Sequence, residues 1–235
     1  NKLYLNGYHR GKCFIDSREY SEKPTISYDF ELTRISKPSC VSIPFPGSPI
    51  NNRPLYSQKD LYRVSGKLVF NGEDFAVDEN AGAIMDDHRG YYPRKAHYDW
   101  VSTMGKLNID GEMKWFGFNL TRNQSMDQEK YNENIIFFEN ETSLLPPVTF
   151  TRYPKTKDYL ANRGKCEWII KDQHDMVNLK FKVYNLNAML LHAAAVNIDY
   201  YITFGELEGY LRDEDGKKYI LDGLTGIGED KTLLL

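Results

Sequence analysis

The strongest constraint on this chain is an alternation of apolar and polar residues with a period of two. Val177, Leu179, Phe181 and Val183 alternate with Asn178, Lys180 and Lys182, and Ile26, Tyr28, Phe30 and Leu32 alternate with Ser27, Asp29, Glu31 and Thr33. Successive side chains of a strand point to opposite faces, so each such segment buries one face of a sheet and wets the other. Further strands are expected at Cys40 to Phe45, Leu61 to Phe70, Phe75 to Val77, Trp100 to Leu107, Met113 to Leu120, Ile135 to Phe138, Val148 to Arg152, Cys166 to Ile170, Tyr200 to Leu211 and Lys218 to Leu221. Asn71-Gly72 and Asp110-Gly111 supply the positive φ angles of two-residue hairpin turns. Residues 1–24 read as irregular, and residues 36–54, which hold Pro38, Pro44, Pro46, Pro49 and Pro54, as a crossing loop. Leu186 to Val196 is the best helix candidate, though it lacks caps and could be a buried strand. Many short strands at regular turn spacing and at most one or two short helices predict an all-β, antiparallel sandwich or barrel.

A chain of 235 residues can bury a sizeable core as one large β domain or two small ones. Net charge is −3 with the signs interspersed, which gives no electrostatic footprint for nucleic acid or an anionic membrane. No run of apolar residues is long enough for a transmembrane helix. The opening NKLYLNGYHRGK has neither an initiator Met nor a signal-peptide core, so a processed or partial protein is expected. Cys13, Cys40 and Cys166 are odd in number and far apart, which is neither a disulfide framework nor a zinc site and predicts a reducing, cytoplasmic setting. On that basis the sequons at Asn119, Asn123 and Asn140 are read as coincidental.

Ala83 to Met104, AIMDDHRGYYPRKAHYDWVSTM, is where acid, base, cation and aromatic groups crowd together. Such crowding on elements that should carry a core points to a lined pocket. Asp86 and Asp87 are adjacent carboxylates, one of which could be kept protonated if both met one cavity. Adjacent strand residues face opposite ways, so only one is expected inside unless the backbone bulges. Asp86, Asp87, His88 and Asp99 are the candidate catalytic groups, with Asp99 orienting His88 or His97 or placing a water. Trp100, Tyr91, Tyr92 and Trp115 could offer π faces to a developing cation. Arg89 and Arg94 suit a carboxylate or phosphate on the polar end of an amphipathic ligand. Set against this, Arg89 is equally suited to closing a barrel mouth by pairing with Asp86 or Asp87, His97 reads as a surface histidine, and His192 as a core one. A metal is opposed by Arg89, Arg94 and Lys95. No nucleophile elbow, dinucleotide fingerprint, phosphate loop or zincin motif occurs, and no cofactor is expected.

The focal stretch resembles the signature of the calycin-like superfamily of carotenoid hydratases and AttH-like proteins, which carry Asp-His-x-Trp-Gly followed by an aromatic-Asp-Trp strand. The counterparts are Asp87-His88 or Asp86-Asp87, Gly90, and Tyr98-Asp99-Trp100. More closely, the chain resembles a bacterial domain family of unknown function near that superfamily. The features that carry this are Pro54-Leu55-Tyr56-Ser57-Gln58-Lys59, Asp86 with Arg89-Gly90 and Tyr92-Pro93, Asn132-Glu133-Asn134, Phe204-Gly205 with Gly209, and Asp222-Gly223-Leu224 with Gly226. Arg89 stands where the hydratase pattern has Trp, so its acid/base pair does not transfer directly.

The resemblance implies a lipocalin-like pair of barrels with an apolar cavity where they meet. It implies residues 1–40 as the remnant of an N-terminal half-barrel or extension and 41–235 as the calycin-like domain. The implied function is binding of an isoprenoid- or lipid-like small molecule, with hydration, dehydration or isomerisation of a C=C bond. A non-catalytic carrier or a structural polar cluster is the alternative. Candidate ligand contacts are Arg89, Tyr91, Tyr92, Arg94, Tyr98, Trp100 and Trp115, with Asn132 and Asn134 either reaching the ligand or satisfying loop backbone.

Overall fold

The computed structural model describes residues 2–11, 22–44, 54–154, 158, 166–193 and 195–234. Cys13, Phe45, Pro46, Pro49 and most of the charged loop before Cys166 lie outside the described residues. What is described is all β, with no α-helix, and its strands form two antiparallel sheets. The first holds β1 (Lys2–Arg10), β2 (Thr25–Arg34), β3 (Ser39–Ile43), β4 (Leu55–Phe70), β5 (Glu73–Phe75) and β6 (Gly82–Gly90). β4 is its spine, with β2 and β3 along one edge and β5 and β6 along the other.

The second sheet holds β7 (Lys95–Ile109), β8 (Glu112–Arg122), β9 (Ile135–Phe138), β10 (Thr142–Leu144), β11 (Thr149–Tyr153), β12 (Cys166–Lys171), β13 (Val177–Ala193), β14 (Val196–Arg212) and β15 (Lys218–Leu234). Its order is β10-β9-β8-β7-β15-β14-β13-β12-β11. Arg152 on β11, an edge strand, reaches Asp99 on β7, five strands away in that order, so the sheet curls into a half-barrel. This agrees with the calycin-like expectation.

Alternation decides the packing. Phe116, Phe118 and Leu120 of β8 point into the curl with Trp168, Phe181 and Leu207, all fully buried. The opposite face of the same strands carries Trp115, Ile135 and Phe137, which pack against Leu61 and Ile84 of the first sheet. Gly117 lies on that outer face because a Cβ there would stand 3.0 Å from Leu61 Cδ2 and 2.9 Å from the Thr103 carbonyl. The sheets therefore meet back to face, with Leu61 as the central contact. Asn71-Gly72 and Asp110-Gly111 adopt positive φ at both turn positions (51° and 82°, 57° and 88°), as their dipeptides predict.

Three expectations are corrected. The helix candidate Leu186 to Val196 is the end of β13 and the start of β14, paired from Ala188↔Tyr201 to Ala193↔Val196. Cross-strand pairing overrides its Leu, Ala and Met propensity, and its missing caps were the warning. The supposedly irregular opening contains β1, paired with β2 along its whole length. It hid because Leu3, Tyr4, Leu5 and Tyr8 are all exposed, so no buried face imposes an alternation. The last strand runs to Leu234, well past Leu221; beyond Leu224 its inner face lies on the core through Gly226 and Gly228, beside Leu207 and Phe181, so few apolar side chains mark it in the sequence.

Candidate functional site

β4 and β6 are paired with Lys59 opposite Asp86 and Ser57 opposite His88. The inward phase of β4 that begins with Leu55 and ends with Leu61 thus carries Ser57 and Lys59 between them, facing the second sheet. Glu133 arrives from that sheet, at the end of the loop after β8. Its neighbours fasten it there. Asn134 accepts from the Thr121 N–H (2.7 Å) and donates to the Pro146 carbonyl (2.9 Å), while Asn132 accepts from the Asn134 N–H (2.9 Å). Asn119, fully buried, donates to the Glu133 carbonyl (2.8 Å) and accepts from Trp100 Nε1 (2.6 Å).

The result is a four-member ionic cluster at the junction of the sheets. Lys59 Nζ bonds Asp86 Oδ1 and lies 3.4 Å from Glu133 Oε2, and His88 Nε2 lies 3.0 Å from Asp86 and 3.2 Å from Glu133. Ser57 and Asn123 donate to the two oxygens of Glu133 at 2.6 and 2.8 Å. Burial works against a charge on Glu133, but the His88 hydrogen bond and the nearby cations hold its carboxyl down at about 2. Burial also disfavours a charged Asp86, and His88 and Lys59 still leave it below the usual carboxylate range. For His88, burial lowers the pKa, yet the bonds to Asp86 and Glu133 outweigh it and raise it to about 9.

His88 Nε2 is also 2.7 Å from Lys59 Nζ. An imidazolium and an ammonium cannot hydrogen-bond each other. With His88 charged, both donate to the shared carboxylate oxygens. Once His88 loses its proton, Lys59 can donate to the bare Nε2. The cluster thus has a ready partner for each protonation state.

The facing wall is the outer face of β7, β15 and β14, where pairing aligns Trp100 with Glu229, and Tyr98 with Lys231 and Tyr200. Tyr98 and Tyr200 donate to the two oxygens of Glu229 at 3.1 and 2.6 Å, and Lys231 Nζ sits 4.6 Å from the Tyr200 ring centre. Burial and then the Glu229 charge push the Tyr98 hydroxyl far up, with Asp86 adding to the effect. Burial and the Glu229 hydrogen bond do the same to Tyr200. Both are neutral phenols. Burial, then Asp86 and Glu133, likewise raise Tyr92, whose ring is 56% exposed at the cleft edge.

Of the residues singled out from sequence, Asp86 and His88 meet in the cluster, Trp100 is tied to it through Asn119, and Tyr92 and Tyr98 lie close enough to feel the Asp86 charge. Asp87 points to the other face of the first sheet, where Arg89 grips it in a two-pronged pair. Tyr91 is exposed on the β6–β7 turn, and Arg94 lies in the same turn. Trp115 is core between the sheets. Asn132 and Asn134 hold the loop. Asp99 turns into the half-barrel, where Arg152 bonds it and stacks 4.3 Å over Trp168. Donor atoms of His97, Asp99 and Asp230 lie within 4.8 Å of one another. Arg152 already supplies their cation, with its Nε 3.5 Å from Asp230.

Lys59, Ser57 and Glu133 were not singled out as site residues. The available signal was a lysine and a serine in phase with Leu55 and Leu61, and a glutamate between two asparagines just before an apolar strand.

Comparison with known proteins finds one family model, described as Domain of unknown function (DUF2804), matching residues 6–234. No curated protein and no solved structure matches the chain.

Proposed function

The chain belongs to the DUF2804 family, and we propose that the cleft between its sheets binds a small isoprenoid- or lipid-like molecule and acts on it by acid/base chemistry at His88. The supporting observation is that the ionic cluster is half open. Lys59 and Glu133 side chains are 3% and 4% exposed, while Asp86 and His88 are 36% and 31% exposed. Burying ions costs desolvation that their pairing rarely repays, and here only Lys59 and Glu133 bear that cost in full. The proton donor, His88, is one of the two members left open.

The cleft charges balance, with Lys59, His88 and Lys231 set against Asp86, Glu133 and Glu229. That suits a neutral polar group, a hydroxyl or carbonyl, at His88, with Tyr98, Trp100 and Tyr200 as the wall for an apolar body. An imidazolium with a pKa of about 9 is a weak acid. It protonates oxygen far more readily than an isolated alkene carbon. The reading therefore favours dehydration, or isomerisation through an enol, over direct alkene protonation. In dehydration, Nε2–H passes its proton to the departing hydroxyl oxygen and the C–O bond breaks. A cleft carboxylate takes the adjacent C–H proton as the double bond forms, and Lys59 then donates to neutral Nε2.

The test is native mass spectrometry of the purified protein with organic extraction of what co-purifies. A bound lipid- or isoprenoid-like alcohol or carbonyl compound, turned over by wild type but only bound by His88→Gln, supports the reading. A bare mass with no thermal shift across a panel of such compounds overturns it and leaves the cluster as a joint between sheets.

A further inference from the structure

Four strands of the second sheet end together. Pairing brings Lys95, Leu234, Asn197 and His192 into one row, and just inside it Ala96, Leu233, Ile198 and Leu191 into another. The two rows face opposite ways. Apolar side chains emerge on both faces at this rim, with Met189 40%, Leu190 48%, Leu191 48% and Leu234 37% exposed. From Val183 to Ile198 the chain contains no Asp, Glu, Lys or Arg, and His192, its one titratable group apart from Tyr184, bonds Asp199 at 2.8 Å. Tyr184 is exposed, and Tyr200 and Tyr201 are partly exposed. Tyr200 and Tyr201 pair with Met189 and Ala188, one and two residues below Leu190, the position amphipathic rings take at a membrane–water boundary, while Tyr184 stands about 16 Å further down the ribbon. Lys95 and, one residue earlier, Arg94 stand at the rim row, with Lys231 three rows below it beside Tyr200.

We propose that this rim, built on the β13–β14 hairpin, dips into a lipid bilayer surface. A protein partner covers one face of a ribbon. Here the exposed leucines lie on both faces, which a medium that surrounds the tip buries together. The tyrosine collar and the basic residues at rim level match an interface that is apolar inside and anionic outside. The docking rests on the rim alone and goes beyond the cleft reading, which could fail without touching it. Were both to hold, the strip Ala96–Leu233–Ile198–Leu191 would lead from the lipid surface to the Tyr98–Tyr200 wall.

The experiment is vesicle flotation of the full chain with phosphatidylcholine vesicles and with phosphatidylcholine–phosphatidylglycerol vesicles. Wild type is expected to float with both, better with the anionic mixture and less so as salt is added. Leu190→Asp or Leu191→Asp should weaken binding about tenfold, since each half-exposed leucine loses its remaining burial and the aspartate adds a charge that the bilayer disfavours. Both positions face solvent, so circular dichroism should confirm an unchanged fold. Leu191→Trp provides a gain of signal, a blue shift in fluorescence on adding vesicles. No flotation with either lipid, no blue shift, or aspartate variants that float like wild type would overturn the proposal. So would a wild-type dimer in light scattering that the same aspartates dissolve, because the rim would then be a contact between copies.

Discussion

Replacing His88 with Gln removes the cluster member that keeps its proton until about pH 9. A pKa raised from 6.5 to about 9 corresponds to about 3 kcal/mol of coupling to Asp86 and Glu133. The ring is 31% exposed, and the water reaching it screens this to about 1–2 kcal/mol. The folded-state value lies above the unfolded one. The contribution is therefore complete below pH 6.5 and is lost as pH rises through about 9. The assay is urea unfolding of wild type and His88→Gln at a series of pH values spanning that window. Tyrosine and lysine titrations common to both proteins cancel in the difference. The wild-type advantage should shrink by about 1–2 kcal/mol across the window. A difference that stays flat, or one that collapses near pH 6.5, would show that His88 is not held charged by the two carboxylates.

Glu133→Gln leaves Lys59 buried with half its compensation and should cost about 3–5 kcal/mol in chemical denaturation. In wild type, the stability due to Glu133 is present above its unfolded value of 4.5 and lost as pH falls through about 2. The adjacent aspartates should separate cleanly. Asp87→Asn should change stability by less than about 1 kcal/mol, since its Arg89 partner is a solvent-facing side chain. Asp86→Asn should lower the His88 pKa, read by NMR titration of the ring. Leu61→Ala should cost about 2–5 kcal/mol in thermal or urea unfolding, because it opens a cavity where the two sheets touch.

The alternation at Val177–Val183 and Ile26–Leu32, and the Asn-Gly and Asp-Gly turns, made the all-β architecture legible because each reports a local rule. The site was half legible. The density of polar and aromatic groups marked Asp86, His88, Tyr98 and Trp100, and strand geometry correctly required Asp86 and Asp87 to part. What could not be read was partnership. Lys59 lies 27 residues from Asp86 and Tyr98 lies 131 residues from Glu229, and only the pairing of β4 with β6 and of β7 with β15 joins them. Asp99 looked catalytic because its neighbours did. Its side chain alternates to the opposite face and finds Arg152.

The pairing of β7 with β15 also dictates the order in which the protein can assemble. The first sheet closes within residues 2–90, and β7 with β8 forms a hairpin of purely local contacts. The wall that faces His88 is different, because Trp100 and Tyr98 meet Glu229 and Lys231 only after the chain has returned through seven intervening strands. Loop closure over that separation is slow relative to a hairpin. Half of the cleft is therefore among the last parts of the molecule to form. During synthesis Lys59, Asp86, His88 and Glu133 would all have emerged before Tyr200, Glu229 and Lys231 arrive to complete the wall.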